Sequence, residues 1–228
     1  MQQIPVPGTT TPEPKTLPRL CVTHTMLPSA SPIEKEVVWP SATSGVHCSV
    51  GDAEGNMVCV TQSLGSVFGS GVVVPGTGIC CNNFLYWADV NPKSPNRAKI
   101  GEIMPVCVAP SIVTQKDGTP VLALGTPGSY GILQTQPQAF VQYVDYAMPL
   151  QQAIEAPRAR LTDGRAVLLE SRVDTKVHAE LRERGHDLTS GPDWTMKVGG
   201  MQGVAIDPET RVYTGGCDPR RDGYVVPA

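Results

Sequence analysis

Metal ligation is the first chemistry to test in this sequence, because it holds seven cysteines and four histidines. Cys21, Cys48, Cys59, Cys80, Cys81, Cys107 and Cys217 form no CxxC pair and no zinc-like spacing with the histidines, so no metal site is expected. Most of these cysteines sit in apolar, strand-like runs, where a free thiol behaves as a small buried hydrophobe. Their odd number points to a reducing compartment, which favours the cytoplasm. His47, His178 and His186 have no carboxylate or hydroxyl at a diagnostic spacing, and His47 reads as a satisfied strand histidine. The glycine-rich stretch Gly69–Gly78 invites a phosphate-binding reading, but no Lys-Ser/Thr follows it and no GxGxxG opens a helix. The segment GTPGS, Gly125–Ser129, leads into an expected helix.

These residues need elements to hold them. Val46–Val50 and Met57–Ser63 read as two extended runs joined over Asp52-Ala-Glu-Gly-Asn56, a hairpin whose poor alternation predicts cover on both faces. A short strand is expected near Ile79–Cys81, and Asn91–Asn96 is a surface loop. Ser111–Thr114 and Pro120–Leu124 make a second hairpin. A helix should follow GTPGS to about Tyr146, with Ile132, Leu133, Phe140, Val141 and Val144 on one face and Pro137 interrupting it. A short helix spans Pro149–Glu155. Asp174 caps a further helix ending at Gly185, with Val177 and Leu181 turned inward. Gln202–Ile206 and Val212–Thr214 close a last hairpin. The pattern alone gives an α+β class.

Composition narrows the function classes. A hydrophobic share of 40% against 17% charged is a globular balance, and 228 residues suit one good-sized domain. The net charge of -3 offers no electrostatic case for nucleic acid or an acidic membrane surface. No apolar run approaches the roughly 18 residues of a membrane span, and no basic region precedes an apolar stretch at the N-terminus. Residues 1–42 are Pro- and Thr-rich without hydrophobic period and read as a poorly ordered leader or linker ahead of a domain at 43–228.

Several stretches, in order, resemble one family. GVHCSVGDAEGNMVCVTQS (Gly45–Ser63) is similar to the start of the small, catalytic subunit of the gamma-glutamyl transpeptidases, with its Thr-x-His strand, Asp-x-x-Gly-Asn turn and Thr-x-Ser/Thr return strand. FGSGVVVPGTGICCNN, APSIVTQKDGTPVLALGTPGSYG, EAPRARL, GGMQGVAID and GGCDPRRDGY continue the match. The resemblance implies the four-layer αββα sandwich of the N-terminal nucleophile hydrolases, of which this chain would be the small-subunit half. It also implies an amidohydrolase or acyltransferase activity without metal or organic cofactor. The implied partners are a large subunit, as a separate chain or an upstream part, and a small-molecule amide substrate.

In that family a precursor cuts itself before a Thr, whose hydroxyl then attacks and whose α-amine serves as base. The match places Gly45 there, and glycine has no hydroxyl. Three readings stay open: a family member without catalysis, acting in binding or assembly; Thr43 or Ser44 serving through a shifted register; or another route on the same scaffold. Thr43, two residues upstream, keeps the strand face of position 45. Ser63 matches a hydroxyl that orients the nucleophile, and Gly128 and Ser129 match the glycine pair of the oxyanion hole. Ser129 can replace glycine provided its backbone keeps a negative φ. Arg158, Asp218 and Arg220 match family positions and are expected to form structural ion pairs. Where the family holds a gamma-glutamyl unit with Asn, Gln, Asp and a Ser-Ser pair, this chain has Gly65, Phe84, Trp87 and Val106-Cys107. Each change removes a polar partner, so a more apolar acyl amide, or no substrate, is expected.

Overall fold

The computed structural model describes residues 20–24, 45–104 and 106–227. The first hairpin forms as β2 (Gly45–Gly51) and β3 (Met57–Ser63), antiparallel, with Gly45 opposite Ser63, His47 opposite Thr61 and Ser49 opposite Cys59. Asp52 closes the turn by accepting the Asn56 backbone N–H at 2.8 Å and its side-chain amide at 2.9 Å. On the other side of β2 lies β1 (Leu20–His24), which also pairs with β11 (Gly223–Pro227), so the first sheet has the order β11-β1-β2-β3.

The second sheet joins β4 (Ser111–Thr114), β5 (Pro120–Gly125), β9 (Gln202–Ile206) and β10 (Tyr213–Cys217) in the order β10-β9-β5-β4. The first sheet stacks on it, with β2 against β5 and β9 and β3 against β4 and β5. The second sheet's other face carries α1 (Ile132–Val144) and α2 (Leu150–Glu155). Leu122, Leu124, Ala139, Leu150, Ile154, Met201 and Ala205 form the core between sheet and helices. Each large side chain buried there contributes about 1.5–3 kcal/mol. A third sheet, β6 (Ala159–Asp163), β7 (Ala166–Glu170) and β8 (Asp187–Gly191), has a parallel β7–β8 pair joined through α3 (Thr175–Glu183). The stacking of sheet, sheet and helices makes the chain α+β, the small-subunit half of the αββα sandwich.

Several expectations change. The first hairpin is not covered on both faces: Val46, Val58 and Val60 are exposed on its outer side. Ile79–Cys81 forms no strand beyond an isolated bridge from Val73 to Cys80. In α1 the buried residues are Ile132, Thr135, Gln136 and Ala139, whereas Leu133, Val141 and Val144 are exposed, because the helix packs on β5 through a narrower stripe. In α3 the buried residue is His178, and Val177 faces solvent. Leu20–His24, read as part of a poorly ordered leader, is a strand inside a sheet. Of the six cysteines whose side chains are described, only Cys107 is buried and Cys80 is exposed.

Candidate active site

The site is built where the two sheets meet the loop leaving β5. Gly45 is buried at the start of β2. A β-carbon on it would lie 2.9 Å from the Pro127 Cβ, so position 45 faces the Thr126–Ser129 loop and is closely covered by it. Ser63 is its cross-strand neighbour and accepts the Gly65 backbone N–H at 3.0 Å. Thr43 and Ser44 lie outside the described residues.

The loop itself is held from below. The Thr126 hydroxyl donates to the Pro127 carbonyl at 2.7 Å and accepts the Gly200 N–H at 3.0 Å. Gly128 has φ 156°, and a β-carbon there would lie 3.0 Å from the Gly199 Cα, so backbone meets backbone and only glycine fits. Ser129 has φ 55°, the left-handed region, which departs from the expectation that it could replace glycine without strain. A single 3-10 turn, Ser129–Gly131, then leads into α1, whose first turn has no capping side chain and no acidic residue. The loop therefore combines close approach with the positive end of a helix dipole, a setting for developing negative charge on oxygen.

Behind Gly45 runs a polar ladder. His47 is fully buried, with Nδ1 2.7 Å from the Thr61 hydroxyl and Nε2 2.9 Å from the Ser49 hydroxyl. The Cys59 thiol lies 3.6 Å from Nε2 and donates to the Leu124 carbonyl at 3.5 Å. Gly125 leaves room for the imidazole, since any side chain there would strike it. Burial lowers the His47 pKa to about 4, and burial raises that of the Cys59 thiol, so both groups are neutral near pH 7. His47 is thus a satisfied core histidine that fixes β2 to β3.

Phe84 and Trp87, two of the residues expected at the substrate position, pack in an aromatic cluster. Trp87 packs against Phe84 at 4.9 Å, Tyr86 at 5.6 Å and Tyr130 at 6.0 Å between ring centroids. Tyr130 donates to the Trp87 carbonyl at 3.0 Å, which ties the cluster to the loop that carries Ser129. Gly65 lies against Phe84 and Tyr86, at 3.3 Å for an added β-carbon. Cys107 is buried and close enough to Tyr130 and Arg160 to interact with both electrostatically, while Val106 is exposed. Trp87 is 6% exposed, buried within this cluster. Tyr130 was not singled out in the sequence, because only tertiary approach brings its ring to Trp87.

Charge is segregated to one side. Arg158 pairs with Asp218 at 2.8 Å, and Arg220 bridges Asp218 at 3.0 Å and Glu170 at 2.6 Å, all essentially buried. Burial, partly offset by Asp218, lowers the Arg158 pKa to about 10. These are the ion pairs expected from the sequence; they tie β7 to the segment ahead of β11. Among the described residues, no His, Cys, Asp and Glu group could hold a metal ion. No helix there is long and apolar enough to cross a membrane.

Comparison with known proteins agrees with this geometry. The family model for gamma-glutamyltranspeptidase matches residues 16–228. An acylase ACY 1 proenzyme from Pseudomonas sp. (strain SE83) is 34% identical over 200 residues, covering 85% of this chain and 35% of that protein. A glutathione hydrolase proenzyme from Bacillus subtilis (strain 168) is 30% identical over 180 residues, covering 79% of this chain and 30% of that protein. The chain thus spans about a third of the length of these relatives. A cephalosporin acylase from Bacillus halodurans superposes with TM-score 0.71 at 33% identity, over 79% of this chain and 33% of that one. A gamma-glutamyltranspeptidase from Pseudomonas nitroreducens, complexed with L-DON, gives TM-score 0.67 at 29% identity, over 78% of this chain and 96% of that one. With the fold, the loop and the matched length in agreement, the chain belongs to the gamma-glutamyltranspeptidase family.

Proposed function

We propose that this chain is the small-subunit half of an amidohydrolase or acyltransferase assembly whose nucleophile position has been lost, so that it binds an amide ligand and a partner subunit without cutting at position 45. One observation carries the reading: Gly45 stands buried opposite Ser63 and under Pro127, where the family resemblance puts the attacking hydroxyl. Without that oxygen there is neither an acyl shift to process a precursor nor an acyl-enzyme. The Gly128 and Ser129 amides keep a place for a carbonyl oxygen. Gly65, Phe84, Trp87, Val106 and Cys107 offer no charged partner to an ammonium group, so the ligand is an amide of a more apolar acyl group than gamma-glutamyl. The partner is a family large subunit; that both relatives are proenzymes of which this chain spans about a third supports it.

A second reading is favoured by the same relatives, which are named as an acylase and a hydrolase: Thr43 or Ser44 attacks in place of residue 45 and Ser63 orients it. Intact mass of the full chain, produced with a family large subunit, decides between them. An uncut chain supports the first reading, and cleavage before Thr43 or Ser44 overturns it. Gly45→Thr, made beside it, is expected to gain cleavage before residue 45. It should also lose about 1–3 kcal/mol of stability in urea unfolding, because Pro127 must give way to the new β-carbon.

A further inference from the structure

Strand β1 enters the first sheet from ahead of position 45 and sits in its interior, between β11 and β2. Leu20–His24 pair antiparallel with Gly223–Pro227 of β11, and Leu20–Thr23 pair antiparallel with the stretch Cys48 to Gly51 of β2. In an antiparallel strand with a neighbour on each side, successive residues turn their N–H and C=O groups to one neighbour and then to the other. Every backbone group of β1 is therefore used. Neighbouring strands stand about 4.8 Å apart, so β2 and β11 are separated by roughly 10 Å and cannot bond to each other directly.

The walls of this gap are anchored by contacts other than those with β1. Each residue of β2, from Gly45 to Gly51, is paired with β3, and His47 is bonded across that pair to Thr61. Just beyond β2, the Tyr213 hydroxyl of β10 donates to the Asp52 carbonyl at 2.7 Å. On the other side, β11 follows the Asp218–Arg220 ion pair, which is fixed to Glu170, and it contacts β10. Strands β9 and β10 pass beneath β1 and form the floor. The tie between β1 and β2 is residues 25–44, which lie outside the described residues. A cut anywhere in that connection, including one before Thr43 or Ser44, breaks the covalent tie and removes none of the pairing of β1.

We infer that the gap between β2 and β11 is a strand-binding site, which this chain fills with its own residues 20–24 and which holds the same segment in trans once the connection is cut. What the site recognises is extended backbone, held on both edges at once. Two ladders fix the register together, so a segment that cannot donate an N–H at each position is rejected. Cleavage ahead of position 45 then yields a two-piece particle and releases no free domain. The site needs neither a nucleophile nor an amide ligand, so it stands whichever reading of position 45 holds.

The full chain with a specific protease recognition sequence inserted between Ala30 and Ser31, folded and then cut, tests this. Under reducing conditions the two pieces are expected to elute together in gel filtration, at the size of the uncut chain. A fluorescent peptide of residues 16–28 should then exchange into the cut chain, read as a rise in anisotropy with release of the resident piece. The same peptide carrying Val22→Pro should bind at least about tenfold more weakly, because proline takes an N–H out of the ladder. Equal binding of the two peptides overturns the site. So does a larger piece that, freed of its resident segment in urea and returned to buffer, fails to take the peptide up while the uncut chain refolds under the same treatment. Light scattering of the uncut chain checks the occupant: a monomer is expected, and a dimer that falls to monomers when cut and given peptide would mean that β1 of one copy fills the other, overturning the filling in cis.

Discussion

Position 129 shows how a single backbone angle records the history of a site. Serine at φ 55° costs about 1–2 kcal/mol relative to glycine, yet the loop keeps that shape because Gly128 is wedged against Gly199. Ser129→Gly should therefore raise stability by about 1 kcal/mol, read as a higher urea midpoint with unchanged slope. His47 makes the opposite kind of statement, being neutral and enclosed by Ser49, Thr61 and Cys59. Its pKa falls from 6.5 in the free residue to about 4 in the fold, so the unfolded chain binds the extra proton between those values. Stability is then complete above about pH 6.5 and declines as pH falls towards 4, by a total of about 3 kcal/mol from this residue. Melting temperature measured across that window should fall steeply, and His47→Gln should flatten the slope while lowering stability at neutral pH.

At the level of elements, what could be read in the sequence followed local chemistry. The β2–β3 hairpin was legible because the Asp52 to Asn56 turn carries its own hydrogen bonds, and α3 because Asp174 supplies its cap. The Asp174 carboxylate accepts the Lys176 N–H at 2.8 Å, so Asp174→Ala should cost about 1 kcal/mol in urea unfolding and fray α3 first. Faces were less legible than boundaries. The apolar residues of α1 suggested a broad stripe, but its packing on β5 selects Ile132 and Ala139 and places polar Thr135 and Gln136 inside, where Gln136 donates to the Ser111 hydroxyl at 2.7 Å. Strands β1, β6, β8 and β11 carry weak local signals and exist through pairing with distant partners, such as β1 with β11 across nearly the whole chain. For the candidate site, the family resemblance led to Gly45, Ser63 and Gly128. The ring of Tyr130 was silent because its packing on Trp87 comes from tertiary approach alone.

The molecule as a whole is finished on one side and open on the other. Helices α1 and α2 cover the second sheet, but the outer face of the first presents Val46, Val58 and Val60 to solvent, with β3 at its edge. In the long segment between β3 and β4, Val90, Ile100 and Ile103 are almost fully exposed as well. Apolar patches of this kind mark surfaces that a partner covers, and an uncovered edge strand is a template for unwanted pairing. A large subunit laid on this face would supply the helical layer that completes the αββα order. Val60→Glu places a charge on the half-exposed outer face of β3. The expected result is loss of co-purification with a family large subunit, while the far-ultraviolet circular dichroism and melting temperature of the isolated chain stay the same. Undiminished association would mean that the partner sits elsewhere, and a lower melting temperature would mean that Val60 already serves the fold of this chain.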